Sequence, residues 1–138
     1  MPRTGRVVSL TGYNHIIARG NGGICIFEDD EDRYRILTLF EDKLVGNGIG
    51  VIAWCLMSNH FHLMVDDPHG KISSCMSGVL TSYAMYFNRK TDRVGHLFQD
   101  RFTNIPVEND AQAISLADYI HMNPVKAGVS AADNYRWS

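Results

Sequence analysis

A chain of 138 residues with 45% hydrophobic and 20% charged residues predicts one soluble globular domain over 1–138, long enough to close a hydrophobic core without metal or disulfide support. Thirteen Lys plus Arg stand against fifteen Asp plus Glu, a formal charge of -2. That balance argues against a strongly basic, non-specific nucleic-acid binder, so any nucleic-acid surface must be local.

Cys25, Cys55 and Cys75 are odd in number and widely spaced. They match neither a disulfide framework nor a CxxC metal knuckle, and read as reduced, buried thiols. The start MPRTGRVVSL lacks the apolar stretch of a signal peptide, and no run elsewhere is long enough to span a membrane. The expectation is a cytoplasmic protein with no membrane partner.

In chain order, HIIAR at 15–19 is a β-branched run and predicts a strand, and RGNGG predicts a tight loop before ICIF at 24–27. Asp29 to Val45 carries Tyr34, Ile36, Leu37, Phe40 and Leu44 at helical spacing behind an acidic start, and Gly46, Asn47 and Gly48 stop it. Two apolar runs follow, IGVIAWCLM at 49–57 and HFHLMV at 60–65, separated by Ser58 and Asn59. This is hairpin spacing, and the pair is expected at the centre of the sheet.

A second helix is predicted from about Lys71 to Phe87, with Ile72, Met76, Val79, Leu80, Tyr83 and Phe87 on its apolar side. RFTNIPV at 101–107 predicts an edge strand because of Pro106. Asn109 and Gln112 form a capping box for a last helix to about His121, which Asn123–Pro124 should end or kink. The first six elements follow βαββαβ order, so the predicted class is α+β: a ferredoxin-like split βαβ sandwich with an antiparallel sheet and an additional C-terminal helix.

Strand alternation sends His60 and His62 to one face and Phe61, Leu63 and Val65 to the other. Two adjacent imidazoles can share a divalent cation, although a lone His-x-His is a weak signal and needs a third ligand. His69, His96, His121 and Asn123 are all candidates that spacing cannot rank. Asp66 and Asp67 raise a carboxylate-rich site, but Asp66 lies too far along a straight strand to join His60. Tyr119 and Asn123, four apart, share a helix face if helical geometry persists; packing and helix capping explain the same residues without chemistry.

For residues 88–101, Arg89, Lys90, Arg93 and Arg101 outnumber Asp92 and Asp100 by two. With Phe98 available to stack on a base or anchor the loop, this segment is a candidate nucleic-acid contact, and otherwise a solvated connector. Arg3, Arg6 and Arg19 can add to it. RGNGG lacks the lysine of a phosphate-binding P-loop.

The segments GYNHIIARGN, WCLMSNHFHLMV, YAMYFNRKTDRVGHLFQDRF and DYIHMNPVKAG, in that order, resemble the REP-associated tyrosine transposases within the IS200-like single-tyrosine HUH transposases. The likeness runs from about Gly12 to Gly128. It implies that His60 and His62 are metal ligands for Mg²⁺ or Mn²⁺, that Asn123 takes the third, amide-bearing position where relatives use glutamine, and that Tyr119 is the nucleophile. Tyr83 and Tyr86 stand in reserve for that role.

The implied activity is a transposase-like endonuclease and strand transferase on single-stranded or hairpin DNA, acting through a 5′-phosphotyrosine. The resemblance also allows a homodimer. The alternatives are a catalytically inactive nucleic-acid-binding protein of the same fold, and a metal-dependent phosphoesterase in which water attacks and Tyr119 is structural.

Overall fold

Seven helices and strands follow the predicted order in the computed structural model, which describes residues 11–99 and 101–126, the last six by backbone only. They are β1 (Tyr13–Arg19), α1 (Asp30–Lys43), β2 (Gly50–Leu56), β3 (His60–Asp66), α2 (Ile72–Thr91), β4 (Thr103–Pro106) and α3 (Asp110–Lys126). The strands form one antiparallel sheet in the order β2-β3-β1-β4.

This order corrects one expectation. The β2–β3 hairpin forms, but only β3 is central, because β1 inserts between β3 and β4 and leaves β2 on an edge. The apolar run of β2 is no proof of a central place: its register shifts between Val51 and Ala53, and Ile52 is 48% exposed. Pro106 does close an edge strand, where its missing N–H costs no ladder bond.

Local chemistry explains the helix ends. Asp29 caps α1 by accepting from the Asp32 N–H at 3.1 Å. Both carboxylate oxygens of Asp67 accept from the start of α2, from the Lys71 and Ile72 N–H groups at 2.8 Å each. That capping role accounts for Asp67, and Asp66 lies opposite Tyr13 and Gly50, at the end of β3 away from His60.

The α2 helix runs four residues past the expected Phe87 and stops at Asp92 in left-handed geometry (φ 54°). Arg89 and Lys90 suit that last turn, where exposed carbonyls favour cations. On α3 the predicted capping box forms, with the Gln112 N–H 2.9 Å from Asn109 Oδ1 and the Glu108 N–H 3.0 Å from Gln112 Oε1. Helical backbone continues through Asn123–Pro124 to Lys126, beyond the predicted stop. Pro124 has no N–H to donate to the Ile120 carbonyl, so the helix gives up that one bond.

Helices α1 and α2 cover one face of the sheet, where Ile16, Phe61, Leu63 and Val65 meet Ile36, Phe40, Met76, Val79 and Tyr83. Each large apolar side chain buried there contributes about 1.5–3 kcal/mol. Helix α3 covers the other face through a smaller cluster of Cys55, Met57, Met64, Val107, Ala113 and Ile120. Only part of this second face is apolar, and the rest carries the polar site. Among the described residues no helix is long and apolar enough to cross a membrane.

Candidate active site

Strand alternation does what the sequence predicts on β3: Phe61, Leu63 and Val65 enter the α1/α2 core, and His60 and His62 point to the α3 side. Their ring centroids are 5.1 Å apart, with the planes at 80°. On β1, Arg19 lies opposite His60, Ile17 opposite His62 and His15 opposite Met64. Residues directly opposite across a ladder share a face, so His15 and Arg19 join the two histidines there.

Helix α3 supplies the phenol. The ring of Tyr119 meets His62 edge-on at 5.9 Å between centroids and His15 at 6.3 Å. Tyr119 is 41% exposed, so the ring is held by its neighbours while part of it stays open to a substrate. The sequence-predicted tyrosine and histidines therefore come together within one chain.

His15 was not singled out from the sequence, yet it is at the centre of the cluster. Its Nε2 is 3.1 Å from His62 Nδ1, and the rings stack at 5.3 Å. The only available signal was the parity of Tyr13, His15, Ile17 and Arg19 on a strand whose partner the sequence does not name. Asn59, in the β2–β3 turn, places its Oδ1 2.7 Å from His60 Nδ1. Gly20 brings the next loop against that turn: its N–H donates to the Asn59 carbonyl, and a Cβ there would run into the Ile24 carbonyl.

Burial keeps the imidazoles neutral. It is the main cause that pushes His62, only 3% exposed, down to about 3, with the like charges of His60, His15 and Arg19 adding to it. Burial likewise lowers His60, helped by Arg19, and burial lowers His15. Neutral rings retain a lone pair for a cation, so His60 and His62 fit as two ligands. Among the described residues no group of three or more His, Cys, Asp or Glu side chains is arranged to hold a metal. The Asn123 side chain lies outside the described residues, although its backbone is one turn beyond Tyr119 in the same helix.

The other sequence candidates are placed elsewhere. His69 lies in the turn after β3 and His96 in the exposed loop after α2; the side chain of His121 is outside the described residues. Tyr83 and Tyr86 are behind the sheet. The Tyr83 hydroxyl donates to the Ile26 carbonyl, and burial raises its pKa far above the usual phenol range. Tyr86 donates to Asp32 at 2.7 Å and is pushed up to about 12, by burial first and that bond second.

Of the basic segment, Leu97 and Gln99 hydrogen-bond to Asn21 and Arg19, which docks it beside the strand end where Arg19 meets His60. Phe98 packs against Phe61 and Tyr83, and with Arg101 it lines a groove along α2. Arg93 reaches Asn88 Oδ1 and the Gly95 carbonyl, each at 3.5 Å. Arg89 lines a depression with Arg35 and Tyr86, and the Arg35 guanidinium sits 4.6 Å over the Tyr86 ring. Lys90 is paired with Asp29 and Asp32 at 2.8 Å each, which neutralises much of its charge. Arg3, Arg6 and Asp100 lie outside the described residues.

Comparison with known proteins agrees with this architecture. A solved structure of a REP-associated tyrosine transposase bound to a REP hairpin aligns over 99% of this chain and 81% of its own, with a TM-score of 0.75 and 20% identity. A crystal structure of a protein from Deinococcus radiodurans R1, described as a transposase, aligns over 94% of this chain and 99% of its own, with a TM-score of 0.57 and 14% identity. At such identities the likeness is one of fold. No curated protein matches the chain. The family model described as "Transposase IS200 like" matches residues 9–123, which span the imidazole pair, the basic segment and the tyrosine helix, and the chain belongs to the IS200-like transposases.

Proposed function

We propose that this protein is a single-domain nuclease over residues 1–138 that nicks and rejoins single-stranded DNA at or beside a hairpin, with Tyr119 as nucleophile. The observation that supports this most is the edge contact of Tyr119 with His62, 5.9 Å between centroids, on the face that also carries His60. A phenol beside two neutral imidazoles is the residue set needed to attack a phosphodiester at a cation site.

In the reaction the Tyr119 oxygen bonds to phosphorus as the bond from phosphorus to the 3′ oxygen breaks. The phenolic proton is lost and the departing 3′ oxygen gains one, leaving a 5′-phosphotyrosine and a free 3′-OH. One phosphodiester replaces another, so attack by a 3′-OH on the adduct rejoins the strand without nucleotide fuel. His60 and His62, with Asn123 as the third donor, would hold Mg²⁺ or Mn²⁺. When bound, that ion supplies charge stabilisation to the phosphate in the transition state. Tyr119 stands beside His62 of its own chain, so a homodimer would pair complete sites rather than assemble one.

The test is incubation with Mn²⁺ and a library of hairpin-bearing single-stranded DNAs, followed by denaturing electrophoresis. A protein–DNA adduct that EDTA prevents is the expected result; cleavage without any adduct would assign the attack to water. His60→Ala should lower Mn²⁺ affinity and adduct formation by about 100-fold or more, given that even partners of metal ligands are worth 10–100-fold. An unchanged Mn²⁺ titration by calorimetry would remove His60 from the ligand set.

The DNA path proposed for Arg89, Lys90, Arg93, Phe98 and Arg101 runs along α2 and the loop docked beside Arg19. Lys90, held by two carboxylates, would contribute least. Arg89→Ala is expected to weaken DNA binding and to reduce the slope of log K against log salt by about one, the signature of one lost phosphate contact. A salt titration with the same slope as the unsubstituted protein would place Arg89 off the path.

A further inference from the structure

We propose that Asn59 and His15 are positioning residues that hold His60 and His62 in one tautomer, with the proton on Nδ1, so that both Nε2 atoms keep a lone pair for a divalent cation. The cation clause and the choice of donor between His62 and His15 rest on the function proposed above; the His60 tautomer, set by the Asn59 oxygen, does not.

For His60 the argument is one of donor and acceptor chemistry. Asn59 Oδ1, 2.7 Å from His60 Nδ1, is a carbonyl oxygen and can only accept. His60 Nδ1 must therefore donate. A neutral imidazole has one proton, and once it is on Nδ1 the Nε2 atom is bare.

For His62 the partner is another imidazole. His62 Nδ1 and His15 Nε2 are 3.1 Å apart, and both residues are buried, at 3% and 7% exposure. Two neutral rings share this contact through one proton, so one ring donates and the other accepts. If His15 donated, His62 would carry its proton on Nε2 and could not ligate through that atom. If His62 donates from Nδ1, its Nε2 is bare like that of His60, and His15 holds its own proton on Nδ1. Only this arrangement gives the adjacent pair two equivalent ligand atoms.

The two partners have different origins. Asn59 immediately precedes His60, so the turn that starts β3 also orients its first imidazole. His15 comes from β1, across the ladder and two residue pairs beyond His62. It also touches the Tyr119 ring edge-on at 6.3 Å, so the ring that orients His62 also flanks the nucleophile.

The experiment is ring-¹⁵N NMR on the full-length, metal-free protein at pH 7.5, followed by Mn²⁺ titration. In the unsubstituted protein the unprotonated nitrogen should be Nε2 in both His60 and His62. Asn59→Leu should shift His60 to a tautomer mixture and weaken Mn²⁺ binding by about 10–100-fold, whereas Asn59→Asp, which keeps an acceptor oxygen, should retain the Nδ1 proton. His15→Phe should release the His62 tautomer in the same way, and His15→Gln, with an acceptor amide, should hold it.

A proton on Nε2 of His60 or His62 in the unsubstituted protein would overturn the proposal, whether or not any variant folds. So would an Asn59→Leu protein whose His60 tautomer is unchanged. Correct tautomers in a protein that binds no Mn²⁺ would instead defeat the cation reading and leave the hydrogen-bond assignment standing. A wrong tautomer in a protein that still forms the DNA adduct would defeat the positioning role alone.

Discussion

Replacing Tyr119 with phenylalanine is expected to abolish the covalent protein–DNA adduct and to lower strand cleavage by about 1,000-fold or more, roughly 4 kcal/mol of transition-state stabilisation. The substitution removes one oxygen, the atom that would bond to phosphorus. The ring remains to make the edge contacts with His62 and His15, so fold and DNA affinity should survive. Tyr83 and Tyr86 offer no replacement, because both hydroxyls are engaged behind the sheet. Single-turnover cleavage on a denaturing gel, beside a binding curve for the same hairpin DNA, separates the outcomes. An adduct that forms as fast with Tyr119→Phe would end the nucleophile assignment.

Replacing Asp32 with alanine should cost about 3 kcal/mol of folding stability. Asp32 is fully buried on α1 and accepts three hydrogen bonds: from the Glu28 N–H at 2.9 Å, the Tyr86 hydroxyl at 2.7 Å and the Lys90 ammonium at 2.8 Å. It ties α1 to the C-terminal half of α2. Breaking a buried ion pair from one side costs about 3–5 kcal/mol. The lower end applies here, because the Lys90 side chain is 27% exposed, keeps Asp29 and can take water in place of the lost oxygen. Urea denaturation with an unchanged slope measures the effect; a loss under about 1 kcal/mol would mean that the three donors find other partners.

These two residues show how unevenly the molecule is written into its sequence. Tyr119 could be named from its place in DYIHMNP and the family likeness. Asp32 could not be told from the other acids of EDDED at 28–32, four of which face water. What separates it is the approach of α2, bringing Tyr86 and Lys90 from more than fifty residues away. The same holds for Asp67, which with Asp66 suggests a carboxylate-rich metal site to a reader of the sequence and is a helix cap in the fold.

Local patterns were sufficient for the element order, for the split of β3 into an imidazole face and a core face, for the Asn109–Gln112 capping box and for the edge position of Pro106. Each depends on a period of two or on neighbours within four residues, and such distances are set by backbone geometry alone. Strand order, the entry of His15 into the cluster and the reach of Tyr119 to His62 depended on which strand β1 pairs with and on which face α3 covers. Those choices are made by burial of side chains far apart in the chain, a sum over the whole core that no short window contains.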